Sequence, residues 1–121
     1  MKKIIVDGQE YIPSDSVQKL APAELVRGMA YCIVRGYQSV VWAGYVKSQE
    51  GTKVVLLNVR NIWYWKGAAS LSQLSQEGIK DLSDSKITQE IPEFTMLDAN
   101  SILPCSEAAK KLIAESPVWK S

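Results

Sequence analysis

Three runs of β-branched and aromatic residues, separated only by short turns, constrain the fold of this chain most. They cover residues 28–34, 39–47 and 53–65, and each turn between them contains a glycine. β-Branched and aromatic side chains favour strands, and strands joined by short turns pair antiparallel. The sequence therefore predicts an antiparallel meander. Gly44, inside the second run, predicts a bulge or a close approach by another backbone.

The segment before the meander predicts an N-terminal arm. Two short apolar runs flank Asp7-Gly8, a pair that favours the tight turn of a β-hairpin. A polar, proline-bounded connector follows, so we assign residues 1–27 to the arm and connector. The alternative, an edge hairpin of the main sheet, stays open. Residues 28–121 are predicted to form a single α+β domain.

Two short helices and further short strands complete the predicted α+β fold. Leucines at helical spacing predict a helix over residues 70–77, and Gly78 is a natural stop. Ser106 is a suitable N-cap for a second helix that ends before Ser116-Pro117. Short strands are expected at residues 86–91, ahead of a break at Pro92-Glu93, and at 101–103. The antiparallel meander sheet has the composition to curl toward a barrel.

Composition excludes several classes of function. The chain has 121 residues, the size of one domain, and a net charge of +1, so it offers no broad attraction to nucleic acid or to an anionic membrane. We see no apolar run long enough to span a bilayer and no signal peptide, which predicts a cytoplasmic protein. Nucleic-acid and membrane partners are therefore not expected.

The absence of histidine argues against an enzyme. Without it, neither a histidine-ligated zinc site nor a histidine general base can form. Cys32 and Cys105 are far apart and lack metal-ligand spacing. Cys105 precedes a helix start, where thiols become acidic, but a small buried residue is the stronger interpretation. We predict no catalytic residue, no metal and no cofactor.

The third run ends in an unusual corner, in which Arg60 and three aromatic residues precede a stretch of small side chains. Trp63 and Trp65 face one side of a strand, and Tyr64 faces the other. Tryptophans at such a position pack in a core or a subunit interface, or they form a stacking platform for a planar ring. Both interpretations stay open at this stage.

The cationic and small residues of the corner also allow two interpretations. Arg60 needs a partner, either a carboxylate (Glu77, Asp98 or Glu107) or the phosphate of a ligand. The small residues leave backbone N–H groups accessible to an anion, or they simply fit a cramped strand-to-helix corner. The ligand hypothesis assigns the binding site to Arg60, Trp63, Trp65, Lys66, Gly67, Ala68, Ser70 and Ser72.

This corner resembles the signature of a family of small proteins from tailed bacteriophages and prophages. The resemblance rests on Arg60, Trp63-Tyr64-Trp65, the residues Gly67-Ala68-Ala69-Ser70-Leu71-Ser72-Gln73-Leu74 and Gly78. The segments Ile102 to Ala109 and Pro117 to Trp119 are similar too, whereas the N-terminal arm departs from the family pattern. The resemblance implies a phage protein in a bacterial cytoplasm and supplies no activity, cofactor or catalytic residue.

Together these features predict a non-enzymatic binding protein. Its ligand would be a small nucleotide-like signalling molecule, sequestered to counter host defence. The exposed aromatic character also predicts a homo-oligomer. The alternative is a protein-interaction module, in which the aromatic corner is a hot spot for a host protein or for phage assembly.

Overall fold

The computed structural model describes residues 4–6, 9–11, 20–65, 68, 70–80 and 85–119. The first two strands are β1 (Ile4–Val6) and β2 (Gln9–Tyr11), which pair antiparallel with Ile4 opposite Tyr11, as the Asp7-Gly8 turn predicts. The remaining elements are β3 (Tyr31–Gly36), β4 (Val40–Glu50), β5 (Lys53–Tyr64), α1 (Leu71–Glu77), β6 (Lys86–Ile87), β7 (Ile91–Met96), β8 (Ala99–Pro104) and α2 (Glu107–Ala114).

The predicted α+β architecture is confirmed. Strands β3, β4 and β5 form the antiparallel meander at the centre of a six-stranded sheet ordered β6-β5-β4-β3-β8. Strand β7 pairs with the first half of β5, and β6 pairs with the end of β5 along the same edge. The second helix begins after its predicted cap, Ser106, and the first begins after Ser70, where the helix was expected to start. Both serine hydroxyls accept an N–H bond from the first turn of their helix.

The sheet curls without closing into a barrel. Ala99, at the start of β8, donates its N–H to the Thr52 carbonyl at 3.0 Å, so β8 approaches the turn between β4 and β5. Within the described strands, no ladder joins β8 to β6 or β7. Gly44 supplies part of the curvature: the β4–β5 ladder shifts beside it, and a Cβ there would lie 2.9 Å from the Val59 Cβ. This confirms the predicted bulge and close approach.

The predicted break at Pro92-Glu93 is wrong. Strand β7 runs through both residues, whereas the strand expected over 86–91 is reduced to the two residues of β6. Proline is tolerated because β7 is an edge strand that pairs with β5 alone, so the missing N–H is not needed for a second ladder.

The curled sheet carries a hydrophobic core on each face. The helices cover one face, where Ile33 and Ile62 meet Leu74 and Ile113. The opposite core contains Cys32, Val34, Val54, Leu56, Val59, Met96 and Ala99. Residues on one strand therefore alternate between two cores, which fixes the register of the meander.

The last part of the predicted connector is bound to the body of the fold. Ala23 donates its N–H to the Cys105 carbonyl, and the Ala21 carbonyl accepts the N–H of Glu107. These bonds attach the connector to the junction between β8 and α2. The division into an arm of residues 1–27 and a domain of residues 28–121 remains a prediction.

Candidate functional site

A bulge at the end of β5 directs Trp63 outward. Ile62 pairs with Ile87 and Tyr64 pairs with Lys86. Trp63 is therefore an extra residue in β5 that has no paired residue in β6. Bulges are a common means of redirecting a side chain at a sheet edge. The Trp63 side chain is 57% exposed, so it is not sealed inside the protomer.

Trp63 lines a cavity of about 580 Å³ at this end of the sheet. Three segments form its walls: the β3–β4 turn, the end of β5, and the start of α1. The described lining residues are Arg35, Gly36, Tyr37, Val40, Val41, Ile62, Trp63, Trp65, Ser70, Leu71 and Ser72. The volume lies within the range of small-molecule sites, and an apolar lining with few polar groups is typical of them.

Four of the eight predicted site residues lie at this cavity: Trp63, Trp65, Ser70 and Ser72. Ala68 packs against the core under the helices instead. Lys66 and Gly67 lie outside the described residues. The Ser70 hydroxyl accepts the Gln73 N–H at 3.2 Å and serves as the helix cap. One N–H group of the first turn of α1 is therefore already satisfied, and the anion site expected at this helix start remains a prediction.

Arg60 is the principal correction to the predicted site. Its side chain is 3% exposed, and its guanidinium donates to six backbone carbonyls, those of Ile87, Thr88, Ile113, Ala114, Ser116 and Pro117. In the part of the chain that the structure describes, no buried side-chain nitrogen or oxygen lacks a partner. Arg60 therefore binds neither of the predicted partners, a carboxylate or a phosphate.

The position of Arg60 at the C-terminus of α2 explains its burial. Two of the accepting carbonyls, Ile113 and Ala114, belong to the last turn of that helix, where the partial charge is negative. Burial lowers the pKa of Arg60 from its ordinary value, although an arginine remains protonated under all physiological conditions. The carbonyl oxygens replace the water that this cation loses.

Arg35 is the cation that the cavity does contain. Among the lining residues that the structure describes, it is the only charged one, and its side chain is exposed. The Arg35 side chain has no hydrogen-bond or ion-pair partner among the described residues. Arg35 was not among the predicted site residues. The strand register was the available signal, since the β3–β4–β5 meander brings the end of β3 to the end of β5.

The β3–β4 turn that forms one wall of the cavity is held by Asp98. Its carboxylate accepts the Gln38 N–H at 2.5 Å, the Ser39 N–H at 3.0 Å and the Ser39 hydroxyl at 2.6 Å. The Ser39 hydroxyl bond, followed by the Gln38 N–H bond, holds the pKa of Asp98 below its usual range. Val40, at the end of this turn, has a φ of 60°, an unfavourable value for a β-branched residue. The surrounding bonds therefore maintain a strained cavity wall.

The C-terminal tail contacts the Trp63 ring. The Trp119 ring stacks on Trp63 with a centroid distance of 5.3 Å and an interplanar angle of 12°. The Lys86 ammonium lies 4.9 Å from the Trp63 centroid and 5.3 Å from that of Trp119. These distances suit a cation–π interaction. Trp119 was not among the predicted site residues.

The two thiols have no features of catalytic groups. Cys32 and Cys105 are both buried, and burial raises the pKa of Cys32 to about 11 and that of Cys105 to about 12. A raised pKa leaves almost no thiolate near neutral pH. Among the described residues, no group of acidic, cysteine or histidine side chains could hold a metal ion.

A family model for a domain of unknown function, DUF6948, matches residues 29–113. Because the match covers most of the chain, the protein belongs to this family. The matched segment includes every described residue that lines the cavity, and Trp119 lies beyond it. No curated protein and no solved structure matches the chain.

In the part of the chain that the structure describes, no helix has the length and apolar character needed to cross a membrane.

Proposed function

We propose that this protein binds a small nucleotide-like molecule in the cavity between the β3–β4 turn and the end of β5. One observation carries the proposal: Trp63 and Trp65 line the same 580 Å³ cavity as Arg35, whose exposed side chain has no partner among the described residues. An indole stacks on a nucleobase with about 1–3 kcal/mol. A guanidinium offers parallel N–H donors that match a phosphate.

The proposed arrangement differs from the one predicted from sequence in the source of its positive charge. Arg35 replaces Arg60 as the anion contact, while Ser70 and Ser72 remain at the cavity. A single described cation fits a ligand with one phosphate better than a polyphosphate. No described lining residue is acidic, so the cavity does not repel an anion.

In the biological context suggested by the sequence resemblance, the protein is phage-encoded and acts in the bacterial cytoplasm. There it would sequester a signalling nucleotide and so counter host defence, without catalysing a reaction. The buried, weakly acidic thiols and the lack of histidine support a binding role over a catalytic one. A homo-oligomer remains part of this proposal.

The exposed rim of the cavity favours a protein-interaction module as the second candidate. Tyr37 is 80% exposed, Val40 48% and Trp63 57%. Exposed aromatic and aliphatic side chains grouped in this way are typical of interaction sites. A host protein or a second copy of the chain would then cover the cavity.

Ligand release and thermal shift separate these candidates. The protein is purified from bacteria and denatured, and the released small molecules are identified by mass spectrometry. Thermal shift is measured with AMP, cyclic mononucleotides, cyclic dinucleotides and ADP-ribose, using adenosine and inorganic phosphate as controls. A ligand at 100 times its dissociation constant stabilises by about 2.7 kcal/mol. A flat response to every nucleotide, with no released ligand, would contradict the proposal.

Two variants make this test specific. Arg35→Gln removes a charge-assisted contact worth about 1.5–3 kcal/mol, so we expect nucleotide binding to weaken about 10- to 100-fold. Lys53→Gln makes the same charge change at the opposite end of β5 and should leave binding unchanged. Equal loss in both variants would point to a general effect of charge.

A further inference from the structure

The C-terminal tail is tied to the cavity through one tryptophan ring. Trp119 stacks on Trp63, and Trp63 in turn lines the cavity, while Trp119 is not among the described lining residues. The backbone N–H of Trp119 also donates to the Ile87 carbonyl at 2.9 Å, which holds the tail along β6. Trp119 therefore contacts a side chain of the cavity wall without itself lining the cavity.

Arg60 fixes the beginning of the same tail. Its Nη1 donates to the Ser116 carbonyl at 2.8 Å, and its Nη2 donates to the Pro117 carbonyl at 3.4 Å. Its Nε donates to the Thr88 carbonyl at 2.8 Å, just after β6. One buried guanidinium thus sets the distance between the tail and the strand on which the tail lies. Trp119 follows only two residues after Pro117.

Without this support, Trp63 would have few restraints on its ring. It is the extra residue of a bulge and is more than half exposed. A free side chain loses conformational entropy when a ligand fixes it, whereas a preorganised one does not. The stack on Trp119 and the nearby Lys86 ammonium supply that order before a ligand arrives.

We propose that Arg60 and Trp119 are positioning residues, which hold the Trp63 indole plane ready for a planar ligand that neither of them touches. This inference rests on the proposed function for its effect on affinity. The positioning of the ring itself is independent of any ligand. The two parts can therefore be tested separately.

The first experiment measures the order of the Trp63 ring without ligand. ¹⁵N relaxation of the Trp63 indole Nε1–H gives its order parameter in the wild-type chain, in Trp119→Ala and in Trp119→Phe. We expect the order parameter to fall in Trp119→Ala and to recover in Trp119→Phe, which restores a stacking partner. Val118→Ala, a truncation at the neighbouring exposed residue, is the matched control and should cause no change. An unchanged order parameter in Trp119→Ala would overturn the proposal.

The second experiment measures affinity by calorimetric titration with AMP, which combines one base with one phosphate. Immobilising one side chain costs about threefold to tenfold in affinity, so we expect a loss of that size in Trp119→Ala and recovery in Trp119→Phe. Equal AMP affinity in the wild type and Trp119→Ala would refute the positioning effect while the proposed function stands. If the wild type binds no nucleotide, the proposed function fails and the relaxation result alone decides the role of the tail.

Discussion

Two arginines on neighbouring regions of one sheet have opposite environments. Arg60, on β5, is 3% exposed and donates to six backbone carbonyls. Arg35, at the end of β3, is exposed at the cavity, and its side chain has no partner among the described residues. The first holds α2, the tail and β6 together, and the second is available to an anion. Chemical identity alone therefore does not separate a structural cation from a binding one.

Removing the Arg60 side-chain charge should have the largest effect on folding. Arg60→Met fills similar space but leaves several buried carbonyls without a donor, at about 1–3 kcal/mol for each unsatisfied group. We expect a loss of about 3 kcal/mol or more in the free energy of unfolding, measured by urea denaturation and circular dichroism. A loss below 0.5 kcal/mol would remove the contrast between the two arginines.

A charge-conserving change at Arg60 tests whether its contribution to stability comes mainly from the geometry of its donors or from its charge. Arg60→Lys keeps the positive charge but has three donors on one atom and lacks the planar fork. One ammonium cannot reach carbonyls on both the tail and the segment after β6. We expect a loss of roughly 1–3 kcal/mol in the same denaturation experiment. Full retention of stability would show that charge at the α2 C-terminus is sufficient.

Asp98 holds the β3–β4 turn beside the cavity, and its substitution should lower stability less than substitution of Arg60. Asp98→Asn weakens the bonds to Gln38 and Ser39, so the denaturation midpoint should fall by less than in either Arg60 variant. Because the folded pKa of Asp98 lies below its unfolded value, its contribution is fully present above the unfolded pKa, about 3.9. That contribution is lost as pH falls through the folded pKa.

The difference in stability between wild type and Asp98→Asn should therefore be constant near neutral pH and shrink below about pH 4. Denaturation midpoints from pH 7 to pH 2.5 measure it. A difference that grows on acidification would contradict the assigned role of the carboxylate.

Substitution of Arg35 should affect stability least. It has no described partner to lose, and exposed substitutions usually change the free energy of unfolding by less than 0.5 kcal/mol. Arg35→Gln should thus unfold like the wild type while losing nucleotide binding. A stability loss comparable to that of Arg60→Lys would mean that Arg35 is also a structural residue.

The sequence predicted the elements of this fold better than their long-range partners. Gly44 predicted the bulge in β4, and Ser70 and Ser106 predicted where the helices start. These features could be predicted because local backbone chemistry determines each of them. Pro92 misled the prediction, since proline in a strand is acceptable on an edge and edge position depends on the whole sheet.

The candidate site shows the same difference between local features, which can be predicted from sequence, and long-range contacts, which cannot. Trp63 and Trp65 both line the cavity. Regular alternation along a strand does not account for this, because Trp63 is the extra residue of a bulge and Trp65 follows the end of β5. Arg60 was assigned to a ligand because its sequence neighbours are aromatic, whereas its actual partners lie more than 25 positions away, from Ile87 onward. Trp119 was missed for the same reason, since no local pattern connects it with Trp63.

The two cysteines lie in different hydrophobic cores, and this arrangement affects whether they can form a disulfide. Cys32 belongs to the core on one face of the sheet and Cys105 to the core on the other, although the ladder between β3 and β8 brings them close in the fold. A sulfur–sulfur bond between them would require one side chain to pass through the backbone layer. The folded protein should therefore behave identically in reducing and non-reducing buffers, and each buried thiol should react with a thiol-specific reagent only after denaturation.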